Sequence, residues 1–153
     1  MPQISQEAID QIADIIAEAS QLPLHDAAFA LWRQMSRLDS PEERYPSAEE
    51  VRINRAMSPE QWFARYRYER EHAYRGPMFG YVKRTHPHAS NDDIKQAIIE
   101  AVHFDDACSD HFKWEGDFWG CVVRAVAQAA KTHPHYLDAT YRDARNNLAY
   151  HTK

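Results

Sequence analysis

The tetrapeptide Thr-His-Pro-His occurs twice, at Thr85-His86-Pro87-His88 and at Thr132-His133-Pro134-His135, and each copy falls where one helical pattern stops and the next begins. Proline lacks an N–H, clashes with the helical turn before it and pushes the preceding residue into an extended conformation. Each copy is therefore a break between two helices, and the pair predicts a helix-turn-helix unit used twice. The match extends faintly to Phe79-Gly80 against Trp119-Gly120 if two extra turns are allowed in the second copy. Two such units are too few for a solenoid, which needs about three repeats or more to bury a continuous core. A globular bundle is expected instead.

The rest of the chain is consistent with helices throughout. Only four glycines in 153 residues, with many Ala, Glu, Gln and Arg, favour helix over sheet. The length suits one domain over residues 1–153, an all-α bundle of six to eight helices. Apolar residues at helical spacing place helices at about 5–20, with Ile9, Ile12, Ala13, Ile16 and Ala19 on one face, and at 24–38, through Leu24, Ala27, Ala28, Leu31, Met35 and Leu38. Ser40, Ser47 and Ser58 each precede a Glu or Gln by three residues, the capping-box spacing, so 39–58 reads as short capped turns. A fourth helix is predicted from Pro59 to Arg75, closed by a left-handed Gly76 and carrying an aromatic face of Trp62, Phe63, Tyr66 and Tyr74. Helices over 77–84, 90–109, 117–131 and 136–150 follow. The seventh, over 117–131, is apolar around most of its circumference and is predicted to be the central one.

No apolar stretch approaches the roughly 20 residues that span a bilayer, and the N-terminus has no basic-then-apolar leader pattern. Two cysteines cannot make a disulfide framework. These features predict a soluble, cytoplasmic protein with no membrane partner. The net charge of −5 is unevenly spread: residues 1–50 carry −7, 51–88 carry +5, 89–117 carry −6 and 118–153 carry +3. Such blocks must meet each other or a partner.

Several constellations carry chemistry. Glu69/His72 and Glu100/His103 have the Glu-x-x-His spacing of di-iron bundles, but on helical projection both pairs point away from the apolar face, where a di-iron site cannot form. Asp105 lies within the apolar stripe of its helix and Arg70 within the aromatic stripe of helix four. A charge in such a position needs a partner, and a buried Arg70–Asp105 ion pair is predicted. Cys108, Cys121 and His111 flank one turn and offer a zinc set, yet the cysteines lack the close Cys-x₂₋₄-Cys spacing, and buried free thiols fit better. The tetrapeptide histidines serve as helix-end residues complementing the dipole, or, if the two units pack side by side, as a metal set of His86, His88, His133 and His135.

Between residues 52 and 84, arginines alternate with tyrosines, the composition of interface hot spots and also of phosphate contact with base stacking. A pI near 6.0 argues against a nucleic-acid binder. Phosphate loops and nucleophile elbows are absent, so no catalytic residues are assigned and no cofactor is expected. The leading expectation is a non-enzymatic helical interaction protein, of inhibitor, immunity or small regulatory type. It would meet a protein partner or its own copies through Arg65, Arg67, Tyr68 and Arg75, or through the acidic N-terminal 50 residues. The alternative is a metal- or cofactor-binding protein using the His-Pro-His junctions.

Overall fold

A computed structural model describes residues 6–35 and 48–152. Among these residues the chain forms eight α-helices and no strand: α1 (Gln6–Ala19), α2 (Leu24–Arg33), α3 (Ala48–Ala56), α4 (Pro59–Glu71), α5 (Pro77–Thr85), α6 (Asn91–Asp110), α7 (Phe118–Thr132) and α8 (Asp138–Thr152). It is an all-α bundle. None of these helices is long and apolar enough to cross a membrane.

Local chemistry sets most of the boundaries. Ser58 and Gln61 form a reciprocal capping box at the start of α4. The Ser90 hydroxyl accepts the Asp93 N–H, and the Asp117 carboxylate accepts the Gly120 N–H at 2.7 Å, opening α6 and α7. Gly116 adopts φ +82°, a conformation that favours glycine, and so turns the chain into the Asp117 cap. The expected helix starts at Ser40 and Ser47 lie outside the described residues. The second helix, expected over 24–38, ends at Arg33, where Gln34 leaves helical geometry at φ −109°, ψ 10°.

Helix four ends earlier than its pattern predicts. His72 leaves helical geometry at φ −110°, ψ 18°, and a 3-10 turn, Ala73–Arg75, follows. Gly76 is not a left-handed cap but extended, at φ −93°, ψ −161°. The cause is Pro77, which excludes the helical region for the residue before it and starts α5.

The two tetrapeptides have nearly the same backbone. His86 (φ −135°, ψ 70°) and His133 (φ −133°, ψ 64°) close α5 and α7. In each copy the threonine hydroxyl donates to the carbonyl three residues back, at 2.7 Å from Thr85 to Val82 and 3.1 Å from Thr132 to Ala129.

The core is one continuous cluster drawn from α1, α2, α5, α6, α7, α8 and Tyr136. Its centre is the packing of α2 on α6, and α6 also meets α5, α7, α8 and the 3-10 turn. Phe104 of α6 is fully buried and touches a ring of aromatic groups: Phe29 at 5.2 Å, Tyr136 at 4.9 Å, His133 at 5.5 Å and Tyr141 at 5.7 Å between centroids. Edge-on pairs of this kind add about 0.5–1.5 kcal/mol each beyond burial. The sequence-based assignment of the 117–131 helix as central is therefore corrected. α7 packs mainly on α6 and α8, burying Cys121, Val122, Ala125, Val126 and Ala129 while Trp119, Val123 and Ala127 stay exposed. Its wide apolar circumference consists partly of residues that face water.

A buried carboxylate ties the second tetrapeptide to α2. Asp26, 1% exposed, accepts the Leu137 N–H on both oxygens at 3.1 and 3.2 Å and a hydrogen bond from Thr140, capping the approach to α8 from across the bundle. From the other side, the Tyr141 hydroxyl donates to the His133 carbonyl and accepts from the Tyr136 N–H. Burial raises the Asp26 carboxyl above its ordinary range, against the pull of Leu137, Thr140, His135 and His25. Asp26→Ala orphans a buried backbone donor and is expected to cost about 1–3 kcal/mol. Asp26→Asn keeps an acceptor and removes the desolvated charge, so thermal melts should show it well above the alanine variant. Equal melting of the two would mean that the carboxylate does not cap Leu137.

Candidate functional site

α4 buries none of its residues. Trp62, Phe63, Tyr66 and Tyr68 are 49%, 55%, 43% and 58% exposed. The helical period places Trp62 over Tyr66, whose rings stack at 5.5 Å and 11°, with Phe63 edge-on to Trp62 at 5.2 Å. The aromatic face of α4 is thus mostly in water, and neither α3 nor α4 contributes to the core.

What holds α4 to the bundle is Arg70. Its Nη2 lies 2.9 Å from Asp105 Oδ2 and also donates to Asp106, while its guanidinium stands 5.1 Å from the Trp32 ring and 5.2 Å from that of Tyr66. Asp105 in turn accepts the Trp32 indole N–H at 3.0 Å and faces the Asn147 amide at 3.5 Å. The two charges meet, half-buried rather than sealed: their side chains are 18% and 22% exposed. Burial opposes the guanidinium charge, but the two carboxylates outweigh it and raise the Arg70 pKa.

Beside this pair a groove of about 570 Å³ opens between α4, the 3-10 turn and α2, lined by Trp32, Met35, Tyr66, Tyr68, Arg70 and Met78 among others. Arg65, Arg67, Tyr68 and Arg75 all lie exposed around it or on α4. Arg65 pairs with Glu69 at 2.9 Å and with the Asn54 side chain at 3.2 Å, Tyr68 stacks on His72 at 4.1 Å, and Arg75 lies over Tyr74 at 5.5 Å.

Comparison with protein families, with curated proteins and with solved structures found no match for the chain. The site is therefore read from its own geometry.

The four tetrapeptide histidines are not gathered into one ligand set among the described residues. His86 Nδ1 is engaged by the Thr85 hydroxyl at 2.8 Å, and His88 is exposed. The repeat reproduces a local turn, and the units it ends do not bring both copies to one point. His133 sits against Phe104 and near His135, its rings 6.4 Å apart, and burial followed by the His135 charge lowers its pKa. Cys108 and Cys121 are buried free thiols. Burial, followed by the nearby Asp105 charge, pushes the Cys108 thiol up to about 12. The Cys121 thiol donates to the Glu115 carbonyl at 3.1 Å.

A different grouping had no sequence signal. His25 at the start of α2, Glu100 in α6 and His135 in the second tetrapeptide turn bring their ligand atoms within 4.8 Å of one another. Glu100 thus joins two histidines from other segments rather than His103 of its own Glu-x-x-His, which is exposed.

Proposed function

We propose that this protein is a cytoplasmic, non-enzymatic docking module whose contact surface is the exposed face of α4 with its adjoining groove. Its partner is a protein segment that carries acidic groups around an apolar anchor. The observation that carries this reading is a helix of 13 residues with no buried side chain and four aromatic ones in water. Contiguous exposed apolar surface with a polar rim is characteristic of interaction sites, and Trp, Tyr and Arg dominate interface hot spots. Arg65, Arg67 and Arg75 supply the positive rim, which steers an acidic partner and sets the salt dependence of association. The groove supplies a pocket for the anchor. Two free buried thiols support the cytoplasmic placement.

The test is site-specific photo-crosslinking in the native cell, with the probe placed at Phe63 and, as a control, at the exposed Arg142 of α8. A discrete protein adduct unique to Phe63 and weakened by high salt is expected. The triple variant Arg65→Ala/Arg67→Ala/Tyr68→Ala should lose it while melting within about 0.5 kcal/mol of the parent, because exposed positions contribute little to stability. Adducts of this chain alone would identify a second copy as the occupant. The same adducts from both positions, or none from Phe63, would remove α4 as a docking surface.

A further inference from the structure

We propose that His25, Glu100 and His135 form a binding site for one divalent transition metal of the zinc class. His25 Nδ1 lies 2.9 Å from Glu100 Oε2, His135 Nε2 lies 3.3 Å from the same oxygen, and the two imidazole rings are 4.9 Å apart, edge to face. Two ligands each about 2.0–2.1 Å from a tetrahedral zinc stand about 3.3 Å from one another, so the two nitrogen–oxygen separations already suit a shared ion, and all three donors lie within 4.8 Å of one another.

The contacts within the trio do not use up its lone pairs. Although His25 Nδ1 is buried and close to the carboxylate, it makes no aligned hydrogen bond. Two imidazoles and one carboxylate suit zinc, copper, nickel or iron, whereas calcium and magnesium call for oxygen ligands. The three side chains are 36–40% exposed, and a catalytic-type zinc site with three protein ligands takes a water or an external ligand in the fourth position.

The supports are rigid. His25 precedes the buried Asp26, whose carboxylate grips the Leu137 N–H two residues beyond His135, so a single hydrogen-bonded link fixes two of the ligands to each other. Glu100 is presented by α6, the helix on which α2 packs most extensively. The second Thr-His-Pro-His turn thereby gains a use that the first lacks, since His88 belongs to no such group among the described residues.

The experiment is titration of tag-free protein with zinc by calorimetry, and with cobalt by visible absorption. One metal per chain, the d–d spectrum of tetrahedral cobalt and a rise in melting temperature with zinc are expected. His135→Ala and His25→Ala should each weaken zinc binding by about 100-fold, and Glu100→Gln by at least about 10-fold. His86→Ala/His88→Ala should bind as the parent does, and circular dichroism of every variant should remain helical because all three ligands are partly exposed. Calcium and magnesium should not bind. Absence of stoichiometric zinc, or unchanged affinity in a folded His25→Ala/His135→Ala variant, would overturn the assignment.

Discussion

Val122→Asp is expected to leave no cooperatively folded protein, whereas Val123→Asp, one residue along the same helix, should melt as the parent does. Val122 is fully buried on the face that α7 turns to the core, and Val123 is 39% exposed on the other. One residue is a rotation of about 100° around the helix, enough to move a carboxylate from packed hydrocarbon into water. An unpaired charge at Val122 should cost about 4–5 kcal/mol or more, a large share of the roughly 5–15 kcal/mol that holds a domain together. The exposed substitution should stay within about 0.5 kcal/mol. Circular dichroism melts of the two variants decide it. A normally melting Val122→Asp would mean that α7 does not pack by this face.

The second large effect is expected at Asp105. Removing one partner of a buried pair costs about 3–5 kcal/mol, and partial exposure of both side chains lowers this to roughly 2–3 kcal/mol here. Asp105→Leu should be the costlier change, because it orphans the Trp32 indole N–H and leaves the Arg70 guanidinium with Asp106 alone. Arg70→Met should cost less, since Asp105 keeps Trp32 and Asn147. The double variant should lose less than the sum of the two, by about 1 kcal/mol, without returning to the parent, as Trp32 still lacks its acceptor. Chemical denaturation of all four proteins measures the coupling. Strict additivity would show that the ion pair contributes nothing to holding α4 on α6.

That pair was legible in the sequence because the physics is one-sided. A charge on a buried apolar stripe must be paired or must not be there, which singles out Asp105, whereas Arg70 lies on an aromatic stripe that is mostly in water. The proposed docking surface rests on Arg65, Arg67, Tyr68 and Arg75, which stood out by composition, and on the exposure of Trp62, Phe63 and Tyr66, which only the structure shows. A helical stripe of aromatics looks the same whether the chain covers it or leaves it for a partner.

What the sequence by itself determined is local. The capping box at Ser58, the caps at Ser90 and Asp117, and the two proline breaks all act within about four residues, the reach of one helical turn, and they produce the helices and the paired Thr-His-Pro-His turns. Tertiary structure decided which helix is central and which residues meet. α6, not α7, takes the middle, because burial depends on how many neighbours surround a helix rather than on how apolar it is. The junction of Asp26 with Leu137, and the meeting of His25, Glu100 and His135, bring together segments far apart in the chain. No spacing encodes such encounters, which arise only when α2 packs on α6 and the Tyr136 ring seats beside Phe29 and Phe104.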